Sequence, residues 1–185
     1  MYQLHIAEKS KSSWSLRPWL LLRTLQIPFT ESEHRYLSDL AEQRQSWRSF
    51  SPTAKVPVLV DGDTVVWDSL AIVEDVAEQH PPVWPSTANA RAWARSATAE
   101  MHAGFTELRS VCPFRLDTAS TPALSLELTA ELQRINQLWQ QGLVQFGGPF
   151  LAGAAFTAVD AFYAPVAMRI QAYQLHDHLN APAQH

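Results

Sequence analysis

Residues 2–7 alternate, with Leu4 and Ile6 on one side, and read as a short strand. A polar loop over residues 8–13 follows. Ser15 is then placed to cap a helix over residues 16–25, in which Pro18 falls within the first turn and Ile27-Pro28 marks the stop. That helix is apolar on nearly every side and is expected to be buried. Residues 29–36 read as a second strand, Ser38 as the cap of a helix running through Glu42 and Trp47 to Phe50, and Ser51-Pro52 as its end. The β-branched runs 56–60 and 64–67 flank Asp61-Gly62-Asp63, which predicts a tight antiparallel hairpin. A helix over residues 69–79 carries Leu70, Val73, Val76 and Ala77 on its apolar face and is broken by His80-Pro81-Pro82. The predicted order of this half is βαβαββα.

Beyond Pro85 the period changes. Trp93, Ala97, Met101, Phe105, Leu108 and Cys112 recur at steps of three and four, as do Leu128, Leu132, Ile135 and Trp139, and again Val159, Phe162, Val166, Ile170 and Tyr173. No strand signal interrupts them, and residues 112–122 and 146–155 read as loops. The pattern predicts two domains, an α/β unit over residues 1–80 and an all-helical bundle over residues 86–185, with the boundary inside 79–86. In the second, Thr157-Ala158-Val159-Asp160 has the spacing of a capping box, whereas a hydrophobic staple from Phe156 finds only Ala161.

Composition narrows the classes. Apolar residues make up 46% of the 185 and charged residues 17%, which excludes a disordered chain. A net charge of −4, with no run of Lys or Arg, gives no footprint for nucleic acid or an anionic membrane. The N-terminus lacks the apolar core of a signal peptide, and the run 19–22 is far too short to span a bilayer, so a cytoplasmic protein is expected. Cys112 is the single cysteine, which rules out an intrachain disulfide and reads as a small buried residue. His176 and His178, with His185 at the end, lack an acidic neighbourhood and read as solvated tail residues; no metal site is expected.

Three features carry candidate chemistry: Lys11-Ser12-Ser13-Trp14-Ser15-Leu16-Arg17 after the first strand, Lys55-Val56-Pro57-Val58-Leu59 before the hairpin, and Asp68-Ser69 at a helix start. On spacing alone each has a plain reading. Pro57 is an ordinary trans proline opening a strand, Asp68 and Ser69 are N-caps, and Ser13 and Ser15 are loop and cap residues. In their order and intervals, however, the three together resemble the cytosolic glutathione transferases of the serine type, in particular the zeta-like bacterial branch. The resemblance covers essentially the whole chain and implies a thioredoxin-like N-terminal domain followed by an all-α C-terminal domain.

It further implies a cis Val56-Pro57 bond that turns the Val56 backbone toward a peptide-like ligand. Ser69 would then receive the γ-glutamyl carboxylate of glutathione at a helix N-terminus and Asp68 its α-amino group. Lys55 reaches for the glycine carboxylate and Trp14 walls the site. Ser12 donates to the sulfur, with Ser13 as runner-up, and Arg17 either adds positive potential there or is a solvated arginine. Trp14 stands where the zeta class has cysteine, which puts the redox and isomerase chemistry of that cysteine in question. Met101, Phe105 and Arg109, on one face of the first long helix, correspond to the element lining the electrophile pocket. Glutathione is the only co-substrate implied, and a homodimer the implied assembly. The expected activity is glutathione S-transferase. The rivals are a glutathione-dependent isomerase of the maleylacetoacetate type and a non-catalytic scaffold of the same fold. Relatives carry more helix after a segment like 173–179, which leaves one wall of the electrophile pocket undefined.

Overall fold

The computed structural model describes residues 1–179, so His185 and the segment that follows Leu179 lie outside the described residues. The chain divides into two compact units, Met1–Val83 and a second beginning at Trp84.

The first unit has a four-stranded sheet in the order β2-β1-β3-β4. Strand β1 (Tyr2–Ala7) pairs in parallel with β2 (Phe29–His34) and antiparallel with β3 (Val58–Asp61), which pairs antiparallel with β4 (Thr64–Trp67). The parallel pair needs a crossover. Helix α1 (Ser13–Thr24) supplies it and packs on α3 (Ser69–Gln79). Leu4, Ile6, Leu21, Leu22, Val58, Leu59, Ile72 and Val73 form the interior of this unit. The hairpin loop is Gly62-Asp63, because Asp61 still pairs with Thr64, and Gly62 takes the positive φ of 58° that such a loop demands.

Several boundaries differ from the sequence reading, each for a local reason. Helix α1 begins three residues earlier: Ser12 is its cap, and the Ser15 hydroxyl instead accepts the Ala7 N–H of β1 at 3.0 Å. Helix α2 (Leu40–Trp47) is capped by Asp39, whose carboxylate takes the N–H groups of Ala41 and Glu42, and not by Ser38; it ends at Trp47, short of Phe50. Strand β3 starts at Val58, after the proline. On α3 the buried residues are Ser69, Ile72, Val73 and Val76, so Ile72 takes the place given to Leu70 and Ala77.

The second unit is helical. Helix α4 (Ala88–Ala103) and the short α5 (Thr106–Val111) interrupt what the stripe presented as one helix, and Phe105 between them stands in the left-handed region at φ 53°. Met101, Phe105 and Arg109 therefore do not share one helix face. The new start is held by Glu131 of α6 (Leu126–Phe146), whose carboxylate accepts the N–H of Glu107 at 3.1 Å and of Leu108 at 2.7 Å. Helix α7 (Ala158–Ala172) packs on α4. The stripes Leu128-Leu132-Ile135-Trp139 and Val159-Phe162-Val166-Ile170 are buried as their spacing predicts. Asp160 does reach back to Thr157, accepting its N–H at 2.8 Å and its hydroxyl at 3.2 Å, and Phe156 meets Phe150 edge-on instead of Ala161.

Candidate active site

The first unit carries a cleft of about 660 Å³ at the ends of β3, β4 and the helices α1, α2 and α3. Trp14 closes one side. Tyr36, Leu40, Gln43, Arg44 and Trp47 form the wall from α2 and the turn before it. Thr53 to Pro57 form the next, and Trp67, Asp68 and Ser69 the corner where β4 passes into α3. Six of the residues selected from the sequence, Trp14, Lys55, Val56, Pro57, Asp68 and Ser69, thus line one cleft.

The Val56-Pro57 bond is cis, as the motif predicted. The loop ahead of it is shaped by Ser51, whose hydroxyl donates to the Lys55 carbonyl at 2.6 Å and accepts the Lys55 N–H at 3.1 Å, while Ala54 adopts φ 53°. This leaves the Lys55 side chain exposed on the rim. Asp68 takes φ 77°, an uncommon conformation for a residue with a side chain, and its carboxylate caps α3 by accepting the Leu70 N–H at 2.8 Å. Ser69 is fully buried at the first helical position. Free N–H groups and the positive end of α3 there suit an anion.

At the start of α1 the hydroxyl groups form a short chain. Ser12 accepts the Ser15 N–H at 3.2 Å and donates its own proton to Ser15 Oγ at 2.9 Å. Ser12 and Ser13 are both buried, and Trp14 is what this turn contributes to the cleft. Arg17 is not a solvated arginine: it is 1% exposed, its guanidinium carbon lies 4.3 Å from the Trp14 ring centre, and its Nη1 is 3.4 Å from Ser69 Oγ.

The sequence reading passed over Tyr36, Gln43, Arg44, Trp47 and Trp67. It also passed over what braces the α2 wall: Trp47 packs on Phe50, which stacks on His5 and His34 at 4.5 and 4.1 Å between ring centres.

In the second unit Met101 is fully buried, Phe105 packs edge-on against Tyr163 at 6.4 Å, and Arg109 directs Nη1 toward the Gly104 carbonyl at 3.5 Å. A separate cleft of about 660 Å³ in this unit is lined by Trp139, Phe150, Tyr163, Met168 and His176, among others, and by none of those three. Cys112 is buried as expected, and burial pushes its thiol above the ordinary range. Among the described residues no helix is long and apolar enough to cross a membrane, and no group of three His, Cys, Asp or Glu side chains is placed to hold a metal ion.

Comparison with known proteins finds relatives of the unit that carries this cleft. Residues 11–79 match the family described as the glutathione S-transferase N-terminal domain. A probable maleylacetoacetate isomerase from Caenorhabditis elegans is 31% identical over 106 residues, 56% of this chain and 47% of the relative. Glutathione S-transferase Z2 from Arabidopsis thaliana is 28% identical over 123 residues, 64% of this chain and 55% of the relative. The chain thus spans about half the length of these curated relatives. In fold it is similar to a glutathione transferase homologue from Burkholderia gl BGR1 solved with bound glutathione, with a TM-score of 0.70 at 20% identity, covering 99% of this chain and 87% of that one. These matches identify residues 11–79 as similar to a glutathione S-transferase N-terminal domain, and the fold as a thioredoxin-like N-terminal unit with a helical C-terminal unit.

Proposed function

We propose that this protein is a glutathione S-transferase that binds glutathione in the cleft of the first unit and adds its thiolate to a small electrophile. The observation that carries the reading is the convergence of Trp14, Lys55, Val56-Pro57 and Asp68-Ser69 on one cleft. The Val56 backbone pairs with the extended peptide, Ser69 and the start of α3 receive the γ-glutamyl carboxylate, and Asp68 accepts from the α-amino group. Lys55 meets the glycine carboxylate and Trp14 walls the site. The Burkholderia gl homologue with glutathione bound supports the choice of ligand.

Ser12 ionises the thiol. A free thiol has a pKa of about 8.5, and one hydrogen bond to the charged form contributes about 1.5–3 kcal/mol, or one to two pKa units at about 1.4 kcal/mol each. Ser12 caps α1 behind the cleft lining, so in this reading its hydroxyl must turn from Ser15 and reach the sulfur when the ligand arrives. The protein works in the cytoplasm as a homodimer, without a metal.

The test is an ultraviolet titration of the thiolate in the glutathione complex. Ser12→Ala is expected to raise the thiol pKa by one to two units with affinity near wild type at neutral pH, while Ser13→Ala leaves it in place. A shift with Ser13→Ala alone moves the role to Ser13, and no shift with either removes the serine mechanism. A second reading, a glutathione-dependent isomerase, is favoured by the Caenorhabditis elegans relative's name. Product analysis separates the two: an isomerase returns glutathione unchanged, whereas a transferase consumes it.

A further inference from the structure

Helix α2 is weakly held for an element that walls a cleft. It has 8 residues, too few for a stable helix on its own, and buries only Gln43 and Trp47. Trp47 packs in a small cluster with Ala7 and Ala54, against which Phe50 and Val56 lie. Trp47, Ala54 and Val56 all line the cleft, so whatever seats Phe50 in this cluster also steadies the wall.

Phe50 is seated on two histidines. Ala7 stands opposite His34 across the parallel pair of β1 and β2, and His5 shares the side of Ala7, so both imidazoles rise from one face of the sheet. His5 Nδ1 and His34 Nε2 lie 3.0 Å apart, the ring planes differ by 11°, and the ring centres are 5.3 Å apart. Two rings side by side in one plane, joined by an N–H···N bond, have that separation; rings laid one over the other at 5.3 Å would not bring two nitrogens to 3.0 Å. The phenyl ring of Phe50 lies flat on both, at 4.5 Å and 9° from His5 and at 4.1 Å and 13° from His34. The imidazoles thus form a platform, and Phe50 sits across it.

The platform tolerates one added proton and not two. With one, the imidazolium still donates to its neutral neighbour and is attracted to the face of Phe50. With two, both facing nitrogens carry hydrogens and two like charges stand side by side, so the bond is lost and the rings part. The surrounding charges do not relieve this. Glu33 pairs with Lys9, Arg35 acts on Glu8, and Asp61 of β3 meets the N-terminus. Glu42, Arg44 and Arg48 on the α2 side and Lys55 beyond it are exposed. His34 is the charge that acts on His5, and burial alone disfavours a charged His34.

We propose that the His5–His34 pair is a pH-sensitive latch on the α2 wall: while the rings share a proton Phe50 and Trp47 stay seated, and protonation of both rings releases them and opens that side of the cleft. The latch acts in the free protein, whichever ligand the cleft takes.

Hydrogen exchange of the full chain, followed by mass spectrometry at pH 7.5 and pH 5.0 and scaled for the intrinsic rate at each pH, tests this without a ligand. The amides of α2 are expected to open through an event of their own, less protected than those of α1 and α3. Their protection is expected to fall by about tenfold or more between the two pH values. Each histidine that takes a proton near pH 6.5 when released, and refuses it when latched, shifts the opening by up to about tenfold per pH unit. The double variant His5→Asn, His34→Gln has nothing at the pair that titrates, and its α2 protection is expected to change by less than about twofold. Should it fold poorly, His34→Gln alone serves and is expected to show a smaller acid response than wild type. Equal α2 protection at both pH values in wild type, exchange of α2 in step with α1 and α3, or an undiminished acid response in the variants would overturn the latch.

Discussion

At the scale of single residues, His5 and His34 make the most of their environment. His5 Nδ1 and His34 Nε2 are 3.0 Å apart, so one ring donates the single proton between them and the other must be neutral to accept it. Both rings stack on Phe50, and through it on the Trp47 wall of the cleft. Burial lowers the pKa of both from 6.5, and for His5 the neighbouring imidazole lowers it further. The direction fixes the sign of the pH dependence. Below a pH of about 6.5 the unfolded chain binds protons that the folded pair refuses, so the stabilisation is complete above that pH and is lost as pH falls through the depressed folded values. Urea unfolding between pH 7.5 and 5 should therefore show stability falling toward acid, and His34→Gln should flatten that slope. An unchanged slope in the variant would mean that other groups carry the acid sensitivity.

At the scale of elements, the start of α7 is the clearest fixed point. Asp160 takes three donors at once, the N–H groups of Leu151 and Thr157 and the Thr157 hydroxyl, and so ties the preceding loop to the helix. Its removal leaves partly buried N–H groups unsatisfied. Asp160→Ala is therefore expected to cost about 2–3 kcal/mol in chemical denaturation, and a loss below about 0.5 kcal/mol would show that water replaces the carboxylate freely. This cap was legible because Thr and Asp stand three apart before an apolar stripe. The caps of α1 and α2 were not, since Ser12 and Ser15, or Ser38 and Asp39, are equally good caps by composition; what selects between them is a partner distant in sequence, such as the Ala7 N–H that occupies Ser15. The break at Gly104 and Phe105 was hidden for a related reason. The apolar spacing runs straight across it, and the Glu131 carboxylate that starts α5 comes from another helix. The cleft shows the same division. Trp14, Lys55, Val56, Pro57, Asp68 and Ser69 sit in contiguous motifs, whereas Arg44 and Trp47 lie on a short polar helix whose spacing marks neither as facing a ligand.

At the scale of the whole molecule, ligand linkage reports on both the proposed site and the cooperativity of the chain. A ligand that binds only the folded protein stabilises it by about 2.7 kcal/mol at a hundred times its dissociation constant, whatever the details of the contacts. How far that moves the melting temperature depends on how much chain melts together. For a unit of 60–100 residues each kcal/mol is worth about 4–8 °C, and for one of 150–250 residues about 2–4 °C. Residues 1–83 unfolding alone would thus shift by about 11–22 °C, and the 185-residue chain unfolding as one body by about 5–11 °C. Scanning calorimetry with glutathione at that excess is expected to show a rise in one of these ranges, with the smaller marking a single cooperative transition. Two transitions, of which only one moves, would assign the moving one to the unit that holds the cleft. Ser69→Ala, read at the same glutathione concentration, should shrink the shift by about the lost affinity expressed as RT ln of the ratio, since the site binds more weakly while the chain's own stability is compared without ligand. No shift in the wild-type protein would remove glutathione as the ligand of this cleft.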